Sequence, residues 1–363
     1  MDSTIGNGIS IFAYGAYSDI KTYGFIRRKR VRRIRIYQLV LGGVIVTALL
    51  LLPFYLNEAK VNLATEALLY ALFAISFNLL FGYCGILPFG HASVFGIGAY
   101  CIGLIFNHFT NMHLGLSLLI VSLAGFIAGG FIGLFVARLK GAYSALLSFA
   151  FQMFLFAVAL KWYSLTNGDD GMGAIPPPFK MPFWGNISMT NIPNVYYFSL
   201  IVTAVGIGLC YFLLKTPLGN SFVAIREKED RAAFLGYNVY LVKITASSVS
   251  GAIGALAGAL FVIQNNFVST SCLDLSLSLS ACLMVVIGGS GAFLGPVLGA
   301  AFYVVFQDFV SRLTQYWWIL MGVLFILVVL YFKEGLISIF KRERNQDWMK
   351  GGNIKTNAGF IES

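Results

Sequence analysis

Charge is what this sequence has least of. Only 11% of its 363 residues are Asp, Glu, Lys or Arg, against 58% apolar residues. A soluble domain carries about a quarter charged residues, so an ordinary soluble globular class is excluded. Histidine is scarce, at three residues, and the five cysteines (Cys84, Cys101, Cys210, Cys272 and Cys282) form no CxxC pair. Buried free thiols are expected, with no metal or redox site. No Gly-Lys dipeptide occurs anywhere, which excludes a P-loop. His-Glu-x-x-His and G-x-S-x-G are absent as well, so neither a zinc hydrolase nor a serine hydrolase is indicated. Strict alternation of apolar and polar residues is also missing, against a membrane β-barrel.

What is present is a series of continuous apolar runs, many near the 20 residues that cross a hydrocarbon core of ~30 Å. They cover 36–56, 63–81, 83–106, 114–137, 143–163, 194–214, 244–263, 275–287, 295–309 and 316–332. The expected fold class is an all-α polytopic membrane protein with about ten transmembrane helices. It divides into a basic arm (1–35), a membrane domain (36–332) and a tail (333–363). The net charge of +10 is concentrated beside the runs, and no acid falls between Lys21 and Arg35. With the N-terminus inside, 21 of the 25 basic residues lie inside: eight in the arm, two at Arg138 and Lys140, five from Lys215 to Lys243 and six in the tail. The positive-inside tendency selects that orientation, with both ends cytoplasmic. Anionic lipid explains the basic arm better than nucleic acid does. The first run follows a long charged segment without a small-residue cleavage site, so no signal peptide is expected.

Three stretches stand out. The first is Arg226-Glu-Lys-Glu-Asp-Arg231, running on to Ala232, Ala233 and Gly236, between two apolar runs. A short helix flat on the cytoplasmic surface has this composition, and a soluble partner can grip it. The second is Gly82 to Tyr100. Gly85 and Pro88 suggest a discontinuous helix, Gly90 and His91 follow, and Ser93 and Gly96 can face neighbouring helices. A pore-lining or gating hinge and plain tight packing are both consistent with these residues. His91 is the one histidine within a run; it either contacts solute or is an imidazole bonded to a backbone carbonyl. The third is the outer loop with Thr166, Asn167, Asp169 and Asp170, either a docking surface or a connector. Elsewhere, Ser250 to Ala259 presents Gly251, Gly254 and Gly258 on a small-residue face suited to close helix packing. Asp308 and Arg312 are spaced to pair on one helix.

Taken together, these stretches resemble the permease subunits of ABC importers for branched-chain amino acids, in particular the LivM type. The similarity runs from about Leu63 to Leu336. Gly82 to Tyr100, Leu165 to Met172, Thr216 to Asn238, Ser250 to Leu260 and Met284 to Gly299 carry it in the family's order. The resemblance implies a transport subunit that is not itself an enzyme and binds no cofactor, with ATP and Mg on partner subunits. Its partners would be two cytoplasmic ATP-binding subunits, a second LivH-like permease and an extracytoplasmic solute-binding protein. Arg226, Glu227, Glu229, Asp230 and Arg231 would then supply polar contacts of a coupling helix. Ala232 and Ala233 would allow close approach, and Gly236 would end the helix. Gly85, Pro88, Gly90, His91, Ser93 and Gly96 would belong to the translocation path or its gate. Pro88 stands where the family usually has Ser, and the arm matches nothing in it. Urea, short amides or other amino acids are alternative solutes. A stand-alone secondary transporter or channel is the alternative of a different class.

Overall fold

A computed structural model describes residues 47–109, 112–181 and 185–331. The arm and the tail lie outside the described residues. Residues 47–55 form a helix, α1, within a unit of its own that ends at Asn57.

The second unit, from Glu58 onward, is a helical bundle. Its first helix, α2 (Glu58–Asn78), runs on as a π-helical turn, Leu79–Cys84. Gly85, at φ 75°, ends that turn in the left-handed region that glycine tolerates. The chain resumes as α3 (Ala92–His108), α4 (Leu114–Val136) and α5 (Ala142–Lys161). A single turn, α6 (Tyr163–Thr166), leads to β1 (Met172–Gly173), β2 (Phe179–Met181) and β3 (Gly185–Ile187). Then come α7 (Ile192–Lys215), α8 (Pro217–Glu227), α9 (Glu229–Phe234) and α10 (Val239–Asn265). Prolines in the first turns of α7 and α8 suit positions whose N–H groups have no helical partner. The Asn238 side chain caps α10 by accepting from Leu241 N. After β4 (Phe267–Val268) and a 3₁₀ turn at Thr270–Leu273, α11 (Leu275–Gly288), α12 (Gly295–Leu313) and α13 (Trp317–Tyr331) complete the described chain. Strand β1 pairs antiparallel with β4, and β2 with β3.

Five helices among the described residues are long and apolar enough to cross a membrane: α2 with its π turn, α4, α5, α7 and α10. The most apolar stretches of α2 and α10 are 72% and 78% buried, against 28% or less for α4, α5 and α7. Thus α2 and α10 form the centre, and the other three turn apolar faces outward. In a bilayer those faces meet lipid, and helix association depends on close packing and internal hydrogen bonds. The small-residue face of α10 supplies the close packing. A Cβ on Gly251 would lie 2.8 Å from Gly129 Cα on α4, and one on Gly254 would lie 2.9 Å from Val94 Cγ2 on α3. The Asp308–Arg312 pair forms, with N–O at 3.0 Å.

Candidate functional site

The break between the π turn and α3 holds its shape through side chains from distant helices. Gly90 N donates to Ser148 Oγ of α5 at 3.2 Å, and Ala92 N to Ser278 Oγ of α11 at 2.8 Å. Ser278 in turn donates to Gln152 Oε1 at 2.9 Å, and Gln152 Nε2 donates to Leu273 O at 3.0 Å. Gln152 and Ser278 are fully buried, so this chain satisfies groups that water cannot reach. Ser93 Oγ returns to Gly90 O at 2.6 Å. Gly90 lies so close to the Ser148 carbonyl that a side chain there would collide with backbone, and a Cβ on Gly96 would meet the Leu273 side chain.

His91 is buried, stacked on Phe73 with ring centroids 5.1 Å apart, and meets the edge of Phe77. Its Nε2 lies 2.8 Å from Ser76 Oγ, which itself donates to Phe73 O at 2.7 Å. A carbonyl only accepts, so the Ser76 hydrogen is committed there and the bond to His91 takes its hydrogen from Nε2. The expected carbonyl partner is therefore a hydroxyl. Ser250 Oγ donates to Ser76 O at 2.6 Å and ties the group to α10. Beside it is a mostly apolar cavity of about 40 Å³, lined by Pro88, His91, Ser148, Ile132 and Ser247 among others. That is room for a few waters, at roughly 10–15 Å³ each.

The charged loop between α7 and α10 folds as two helices against the bundle. A second apolar cluster joins Leu79, Leu80 and Cys84 of the π segment to Phe222 and Ile225 of α8, Ala232 of α9 and Val242 of α10. Ala232 is 1% exposed and faces this cluster, whereas Ala233 is exposed. Of the two alanines expected to allow close approach, Ala232 packs against the bundle and Ala233 lies on the surface. Arg226 is exposed, and its Nη1 donates to Gly82 O in the π turn. Glu229 binds Lys243 Nζ at 2.6 Å, and Lys140 approaches Asp230 at 3.2 Å and Glu229 at 3.9 Å. Glu227 and Arg231 are exposed. Gly236, at φ 90°, ends α9: its N–H donates to Ala233 O and that of Tyr237 to Ala232 O, a Schellman pattern. Phe234 and Leu235 stand out at 91% and 76% exposed.

In the aspartate-bearing loop, Thr166 is buried and bonds Ala159 O at 2.6 Å. Asn167, at φ 60°, donates to Gly171 O at 2.7 Å. Asp170 accepts the Tyr163 hydroxyl at 2.7 Å and so holds that phenol above its usual pKa range. Asp169 accepts from Thr270 at 3.4 Å. Thr166 thus shapes the loop from within, while Asn167, Asp169 and Asp170 lie on its surface.

Sequence reasoning missed Ser76, Ser148, Gln152, Ser278, Lys243 and the Phe234-Leu235 pair. Only the last carried a local signal, two bulky apolar residues closing a polar helix. Among the described residues no group of His, Cys, Asp or Glu could hold a metal ion.

Residues 60–329 match the family described as branched-chain amino acid transport system / permease component. The high-affinity branched-chain amino acid transport system permease protein LivM of Salmonella typhimurium is 27% identical over 322 residues, covering 84% of this chain and 75% of that one. LivM of Escherichia coli is 28% identical over the same shares. The autoinducer 2 import system permease protein LsrC of Escherichia coli is 26% identical over 82% of this chain and 87% of its own length. No solved structure matches the chain.

Proposed function

The chain belongs to the family of branched-chain amino acid transport permeases, and from that premise we propose that it is one membrane half of an ABC importer driven by separate ATPase subunits. Ten spans with both ends in the cytoplasm make up the subunit. Nine apolar helices follow Asn57 along the described chain, and α1 begins before it; basic residues cluster on one side of them. Two cytoplasmic ATPases, which bind ATP and Mg, a second permease and an extracytoplasmic binding protein complete the importer. This chain binds no cofactor.

The observation that carries the reading is the α8–α9 loop. It is polar, packed on the π segment through Ile225 and Ala232, and ends in an exposed Phe234-Leu235 tip. It is the handle on which the ATPases act, with Glu227, Asp230, Arg231, Ala233 and the apolar tip facing them. Closure of the ATPases moves the handle and with it the attached helices. Gly85, Pro88, Gly90, His91, Ser93 and Gly96 form the gate-side wall that responds. Asp169 and Asp170 face the binding protein.

Branched-chain amino acids are the solutes. The LivM relatives favour this choice, and the LsrC relative marks a related permease named for a different one. The test is ATP-driven uptake of radiolabelled leucine into proteoliposomes holding this chain with candidate ATPases, a second permease and a binding protein from the same organism. Replacing Asp230, Arg231 and Phe234 together by alanine should abolish uptake and loosen ATPase co-purification. Unchanged uptake, or uptake by this chain alone on an ion gradient, would overturn the reading.

A further inference from the structure

Lys243 lies in the first turns of α10 and is only 3% exposed. A lysine taken out of water needs a close counter-charge, and here that is Glu229, with N–O at 2.6 Å. Glu229 also pairs with Lys140, which is 69% exposed and 3.9 Å away; such pairs contribute little. Glu229 is the first residue of α9, a helix too short at six residues to hold itself in place. The same region gathers Cys84 at the end of the π turn, Ala232 and Val242 into one apolar cluster. Arg226 adds a bond to Gly82 within that turn.

We infer that Lys243 is a positioning residue for coupling: through Glu229 it locks α9 to the base of α10, so that movement of α9 reaches the π turn and the break before α3. The inference rests on the transport reading above, and two separate readouts distinguish their failures. The first is alkylation by N-ethylmaleimide in native membranes of a chain whose only thiol is Cys84, which is 2% exposed. Lys243→Met or Glu229→Gln should raise the labelling rate roughly 100-fold, the scale on which breaking a buried pair shifts a local equilibrium. The exchanged pair, Lys243→Glu with Glu229→Lys, should restore protection. Glu229→Gln carries the same test if Lys243→Met does not accumulate. The second readout is leucine taken up per ATP hydrolysed by the reconstituted importer. That ratio should fall in either single variant while ATP hydrolysis continues, and recover in the exchanged pair. Unaltered labelling, or single variants no better rescued by exchange than by any other double change, would overturn the positioning role. Absence of leucine uptake by the unmodified importer would overturn the transport reading, with the labelling result unaffected.

Discussion

Gly251→Val places a side chain in the seam between α10 and α4. A Cβ there would sit 2.4 Å from Gly125 O and 2.8 Å from Gly129 Cα, where ordinary contact begins at 3.4 Å. The shortfall reaches 1.0 Å, and the facing atoms are backbone, so no side chain can swing aside. The helices must part along a seam that Gly125, Gly129 and Gly133 share with Gly251 and Ser247. Overpacking of this kind costs about 1–3 kcal/mol, and valine's two γ-methyls put the value near the upper end. Helix propensity returns less than about 1 kcal/mol on replacing glycine, leaving a net loss of about 2 kcal/mol. At about 2–4 °C per kcal/mol for a chain of this size, the melting temperature should fall by roughly 4–8 °C. A thiol-reactive fluorophore reads unfolding in detergent directly, because Cys84, Cys210 and Cys272 are buried. The control is Gly208→Ala on α7, where an added Cβ meets nothing within 4 Å; its melting temperature should hold or rise. Equal melting of the two variants would refute the claim that backbone contact sets the α4–α10 distance.

Ser76→Ala removes the acceptor for His91 Nε2 and should lower stability by about 1–3 kcal/mol, the cost of an unpaired buried donor, in the same melting assay. Gln152→Leu breaks two bonds, to Leu273 O and from Ser278; a loss of about 2 kcal/mol is expected, with slower solute uptake as the break before α3 loosens. Arg312→Ala removes a pair whose arginine is 70% exposed, and its melting temperature should stay within the scatter of repeat measurements. Phe234→Asp alters a side chain that is 91% exposed; melting should be unchanged while co-purification of the ATPases drops.

The helices themselves were legible, because apolar runs report their own length: α4, predicted over 114–137, spans Leu114–Val136, and α11, predicted over 275–287, spans Leu275–Gly288. Gly85 and Pro88 announced the break before α3, since both weaken a helix whatever surrounds it. The third run was nevertheless placed too early, at Tyr83, because the π turn and the non-helical approach are as apolar as the helix. Gly236 announced the end of α9 for a similarly local reason. The side chains that fix the break were not legible. Ser278 lies 186 residues from the amide it accepts, and no local pattern ranks one serine in an apolar run above another. Lys243 looked like one more basic residue at the edge of a span. Its burial depends on Glu229, fourteen positions earlier, and only the folded loop brings the two together. Ala232 and Ala233 are identical in composition, and helix phase alone turns one inward and the other out.

The short ribbon between β1 and β4 fixes a matter of parity. Met172 sits opposite Val268, and Gly173 opposite Phe267, so the chain leaves that spot and comes back to it. Any journey that starts and finishes on one face of a bilayer makes an even number of crossings. Of the helices on this circuit, α7 and α10 have the length and apolar character to traverse; α8 and α9, at eleven and six residues, do not. Two crossings would close the circuit, with the α8–α9 segment as its turning point. With α7 and α10 both crossing, as the transport proposal has it, the ribbon with its neighbouring aspartates and the Phe234 tip would look into opposite compartments, whichever way round the protein sat.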